Sequence, residues 1–124
     1  NEMQRPGLMP YAITLSRPAA RVTDENAPVT ILEPRNALLD APNRITGADF
    51  TGWVQERATY MPSTFDPRYS TMLRMNDPGE EPNSAGILTA AVGKGRYTYV
   101  TLALFRQLPD AVPGGARIFA NLLR

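Results

Sequence analysis

The sequence contains neither histidine nor cysteine. Ser-His-Asp and Cys-His schemes are therefore impossible within the chain, and so are zinc sites of the common kinds. What is left is carboxylate chemistry, through Asp49, Glu56, Asp66, Asp77, Glu80 and Glu81. These acids show no regular ligand spacing. The stretch DPGEE at 77–81 offers oxygen donors but lacks the alternating spacing and closing glutamate of a calcium loop. Glu80-Glu81 sits among Pro and Gly and reads as a solvated loop. GKG at 93–95 could be taken for a phosphate loop, which needs fixed glycine spacing and then Lys-Ser/Thr between a strand and a helix. Here Arg96 follows, and then another strand-like run. No catalytic residue, metal site or cofactor is expected.

The remaining candidates are aromatic and cationic. GWVQERATYMPSTFDPRYSTML, residues 52–73, gathers Trp53, Tyr60, Phe65 and Tyr69 with Arg57 and Arg68. Aromatic faces and forked guanidinium groups together can line a sugar-binding groove. On that reading Trp53, Arg57, Tyr60 and Tyr69 are the ligand-binding residues. The alternative is that the aromatics pack a proline-rich loop against a sheet. Trp53 belongs to the second role, because it shares a helical face with Phe50 and Val54.

The elements that must position these side chains are short. Ten of the twelve prolines fall in the first two thirds and divide it. Residues 1–10 read as an extended lead-in, YAITLS at 11–16 as a strand, and Val29 to Glu33 as another before Pro34. NALLDAPNRI reads as a loop with a buried Leu38-Leu39 pair. Thr46 looks like an N-cap with Asp49 in the capping-box position, so a helix over 47–55 is expected. ATYM and STMLRM read as strands, and 76–86 as a polar surface loop.

The most regular signal comes last. GILTAAV and RYTYVTLALF flank GKG, predicting a hairpin. The second strand alternates Tyr97, Tyr99, Thr101, Ala103 and Phe105 with Thr98, Val100, Leu102 and Leu104. Both faces are mostly apolar, which predicts an interior strand. ARIFANLLR then predicts an amphipathic helix with Ile118, Phe119, Leu122 and Leu123 on one face and Pro113 in its first turn.

Totals bound the rest. A length of 124 residues has room for one domain and a modest core. The net charge of +1 gives no basic excess for nucleic acid, although arginine supplies all the cations except Lys94. No apolar run reaches the length of a membrane span, and no signal peptide is visible. The chain begins at Asn1, so a processed or excised piece is expected.

Three blocks carry a family resemblance: ITGADFTGWVQERATY, GKGRYTYV and LPDAVPGGARIFANLL. With PYAITLSRPAARVTDENAPVTILEP upstream, residues 8–124 resemble the last part of the glutamine-amidotransferase-like domain at the C-terminus of bacterial PIG-L family deacetylases. The resemblance implies an α/β fold, a partial flavodoxin-like sandwich related to class I glutamine amidotransferases. It would be strand-rich, with a C-terminal hairpin and helix. Residues 1–124 would be a single domain or the C-terminal portion of a larger one, whose first βαβ units precede Asn1. Working amidotransferases use an upstream cysteine and a late histidine with a glutamate. LFRQLP stands in the corresponding region here, so no catalytic residue carries over. The zinc-binding residues of the deacetylase belong to a neighbouring domain, and the resemblance also implies a secreted or periplasmic protein.

Two functional expectations follow. The first is a non-catalytic accessory domain of a zinc-dependent sugar N-deacetylase, supporting the enzyme or binding glycan. The second is a structural module whose exposed strand edges pair with other chains. Expected partners are the remainder of the parent polypeptide or copies of the chain itself, together with glycan, and neither nucleic acid nor membrane.

Overall fold

A computed structural model describes residues 9–123. The lead-in expected over residues 1–10 lies largely outside the described residues. The architecture is mixed α/β, built from small antiparallel sheets and a few short helices. Strands β1 (Ile13–Thr14), β2 (Ala20–Val22) and β3 (Val29–Ile31) come first. Helix α1 (Ala37–Asp40) and a 3-10 turn (Gly47–Phe50) follow. Next come β4 (Ala58–Met61), β5 (Thr64–Phe65), β6 (Ser70–Thr71), β7 (Leu73–Met75), β8 (Ile87–Val92) and β9 (Gly95–Val100). Helices α2 (Leu104–Gln107) and α3 (Pro113–Leu122) close the fold.

Every strand ladder is antiparallel: β1 with β5, β2 with β4, β3 with β7, and β6-β8-β9 as a three-stranded sheet. The hairpin forms where expected, with Val92 opposite Gly95, so that Gly93-Lys94 is the loop and Gly93 takes φ 58°. Its second strand is not interior. β8 is the central strand, buried from Ile87 through Ala90, and β9 is the edge. The apolar alternation misled because β9 ends at Val100. Beyond it Thr101 N–H donates to Gly86 O and Ala103 N–H to Arg57 O, so the chain leaves β8 for β4. It then enters α2, and Phe105 is exposed on that helix. One apolar run thus serves an edge strand, a crossover and a helix.

Two further expectations change. The helix over 47–55 shrinks to the 3-10 turn Gly47–Phe50. Asp49 does act as a cap, since its Oδ2 accepts the Thr46 N–H at 2.9 Å. Its carbonyl, however, accepts the Trp53 indole N–H at 2.8 Å, where a helix would offer it to the backbone amide of residue 53. Gly52 at φ 77° then turns the chain away. The segment 36–40, expected as loop, forms α1, capped by Asn36, whose side chain accepts the Leu38 N–H at 3.0 Å. Leu39 is fully buried and Leu38 only half so.

Helix α3 begins with Pro113 as expected, but its buried face is rotated. Gly114, Gly115, Ile118 and Asn121 are buried, whereas Phe119 is 39% and Leu123 72% exposed. The cause is a backbone-to-backbone approach. A Cβ on Gly114 would lie 1.5 Å from Asp49 O, so Gly114 lets the helix lie against the 3-10 turn, while Gly115 packs on the Gln107 side chain of α2. Ile118, Phe50, Trp53, Leu39, Met61, Met72 and Leu73 belong to the main core. A second apolar cluster joins Ile13, Tyr69, Leu88, Ala90 and Tyr99 on the far side of β8.

Candidate binding groove

The four aromatic and cationic residues singled out in the sequence go to three different places. Trp53, 3% exposed, stacks on Phe50 with ring centroids 5.3 Å apart. Arg57, 5% exposed, lies 5.6 Å from both ring centroids. Its Nε donates to Ala27 O at 3.0 Å and its Nη1 to Phe50 O. Burial pushes this guanidinium below its ordinary value, and the carboxylates of Asp24 and Glu25 oppose that shift. Hydrogen bonds and stacking together satisfy this buried cation among the described residues. This is the packing of a structural corner.

Tyr69, 5% exposed, belongs to the second cluster. Its hydroxyl donates to Tyr11 O at 2.8 Å, and its ring meets Tyr11 edge-on at 5.9 Å. Burial raises the pKa of this phenol above the ordinary value. Arg68 covers the outer face of Tyr11 at 3.7 Å and binds Asp66 through both Nε and Nη2.

Tyr60 is different: it is 61% exposed. The β2–β4 ladder pairs Ala20 with Met61 and Val22 with Ala58, so Thr59 and Tyr60 oppose the single residue Arg21. That is a β-bulge, and Tyr60 takes the left-handed conformation, φ 59°. A tyrosine there costs about 1–2 kcal/mol in local backbone energy. The Tyr99 hydroxyl holds the bulge by donating to Tyr60 O at 3.1 Å. The bulge is held on its other residue too: Thr59 N–H donates to Thr101 O.

The bulge forms one wall of an open groove of about 760 Å³, lined by Ser16, Arg21, Thr23, Tyr60, Asp77 and Glu80 among others. Asp77 ties its two acidic turns together. Oδ2 accepts from the Thr23 N–H and hydroxyl at 2.9 and 2.8 Å, and Oδ1 accepts the Asp24 N–H at 2.7 Å. Burial pushes the Asp77 carboxyl up, but these donors outweigh it and hold the group below its ordinary value. Two other hollows, one beside Arg35 and Arg44 and one beside Arg96 and Asn121, are lined without any aromatic side chain. Nothing in the sequence marked Arg21 or Thr23, because their neighbours come from 77–80. The only local signal was an aromatic in a strand-like ATYM.

Of the other acids named in the sequence, Asp49, Glu56 and Asp66 are engaged in ion pairs. Asp49 pairs with Arg117 at 2.7 Å and Glu56 with Arg106 at 2.9 Å. Among the described residues no group of three or more acids, histidines or cysteines is placed to hold a metal ion. No helix of the described residues is long and apolar enough to cross a membrane. No protein-family model, curated protein or solved structure matches the chain.

Proposed function

We propose that the chain is a non-catalytic accessory domain of a PIG-L type sugar N-deacetylase and binds glycan in the groove beside Tyr60. The observation that carries this reading is the exposed tyrosine, held in a left-handed bulge at the rim of an open groove that carries both apolar and charged side chains. An aromatic face with ionic and hydroxyl groups around it suits a pyranose, which has an apolar face and a polar rim. Arg21, Asp77 and Thr23 supply the hydrogen-bonding rim. Of the residues expected to bind ligand, Tyr60 is the one retained. Trp53, Arg57 and Tyr69 act indirectly, by fixing the corner and the sheet that position it.

The finer fold assignment, a partial flavodoxin-like amidotransferase sandwich, belongs to the same proposal. It requires a parallel strand core outside the described ladders, all of which are antiparallel. Isothermal titration with oligosaccharides of N-acetylglucosamine tests the binding reading. Saturable binding lost in Tyr60→Ala, with the fold intact by circular dichroism, is the expected result. Absence of binding to any such oligosaccharide overturns it.

The edge position of β9 favours a second reading, self-association through that strand. The exposed Arg96 on that strand opposes it, since edge charges discourage pairing. Sedimentation equilibrium separates the two. A dimer abolished by a proline at Thr98 would favour assembly.

A further inference from the structure

The charge around the groove is not that of the chain as a whole. The net charge is +1, yet the fold gathers acids at one end. Asp77 accepts hydrogen bonds from Thr23 and Asp24, which joins the turn carrying Asp24 and Glu25 to the loop carrying Asp77, Glu80 and Glu81. Glu80 and Glu81 are exposed. Within the groove itself Asp77 and Glu80 face one cation, Arg21. Asp24 and Glu25 also act on the buried guanidinium of Arg57, whose charged form they favour. An exposed phenol ring beside excess carboxylate attracts a cation through both its π face and the local field.

We infer that the groove selects glycan units bearing a free amine over the same units with the amine acylated. This rests on the glycan-binding reading and adds the charge of the ligand to it. The ammonium group gains from Glu80 and Asp77, whereas an acetamide is neutral and bulkier and brings no charge to the acidic end. Arg21 limits the preference and orients the sugar hydroxyls.

The test compares fully N-acetylated with fully de-N-acetylated chito-oligosaccharides of equal length on the intact chain at pH 6. An oligolysine of equal charge serves as the control. The amine form is expected to bind about tenfold tighter, and the advantage should shrink as salt is raised. Glu80→Gln should weaken the amine form about threefold, the size of an exposed charge contact, and leave the acetylated form unchanged. Arg21→Gln should raise the preference for the amine form over the acetylated form, because both lose the Arg21 hydrogen bonds but only the amine form is relieved of charge repulsion. Both positions are solvent-exposed, so neither variant threatens folding. Equal or tighter binding of the acetylated form overturns this inference and leaves the glycan reading standing. Failure of both sugars to bind overturns the glycan reading together with it. Oligolysine binding as tight as the amine sugar also overturns it, by showing an acidic surface without sugar selection.

Discussion

Arg57 and Tyr60 lie three positions apart in the same QERATY stretch, and their environments are opposite. Arg57 is buried, its guanidinium stacked against Phe50 and Trp53 and bonded to two carbonyls. Tyr60 is exposed, its backbone in a conformation tyrosine disfavours. The corner follows what stability requires: each polar atom partnered and each ring packed. The bulge departs from it, with strain and an uncovered aromatic side by side. In a small domain such departures are informative, because the rest of the structure must hold them in place.

The comparison can be broken at four points. Trp53→Ala should cost about 3–5 kcal/mol, because it opens a cavity in the corner and removes the donor to Asp49 O. Urea denaturation measures this, and a loss under 1 kcal/mol would mean the corner is not the structural half of the pair. Arg57→Met keeps the volume but leaves Phe50 O and Ala27 O without their donor. The expected loss is about 2–3 kcal/mol, set by unpaired buried acceptors. A neutral or stabilising outcome would place Arg57 with the buried cations that an apolar residue can replace.

Tyr60→Gly runs the other way. Glycine adopts positive φ freely, so stability should stay level or rise by up to about 1 kcal/mol while glycan binding disappears. Loss of stability would make Tyr60 a packing residue and remove the contrast.

The smallest effect concerns the ion pair on the surface of the second cluster. The Arg68 side chain, and then its backbone N–H, hold the Asp66 carboxyl at about 2, below its ordinary 3.8. A depressed folded pKa contributes stability that is complete above the ordinary value and is lost as pH falls through about 2. Asp66→Asn should therefore flatten a shallow acid limb in thermal melts below pH 4 and slightly lower stability near neutrality, where the contribution is complete. A carboxyl that titrates at its ordinary value by NMR would remove the effect.

Several elements could be read directly from the chain. The hairpin over GKG, the Thr46–Asp49 cap and Pro113 at the head of α3 all rest on neighbours within a few residues. Turn chemistry, capping and periodicity are local, and local composition encodes them. The short helix at 37–40 had its own signal in Asn36, a good N-cap, but the following Pro42 masked it as loop.

Tertiary structure decided the rest. Strand order put β8 rather than β9 in the centre, since a doubly apolar run does not say which neighbour will cover it. Gly114 docking on Asp49 rotated the buried face of α3, because a backbone contact leaves no trace in hydrophobic spacing. The groove arises only where the bulge in β4 meets the turn at Thr23-Asp24, which Asp77, more than fifty residues further along the chain, holds in place. Residue types alone fixed what chemistry was open to this protein: aromatic, guanidinium and carboxylate contacts, without thiol or imidazole. Which of those contacts face solvent was decided by long-range pairing, because burial belongs to the assembled core and not to any single stretch of chain.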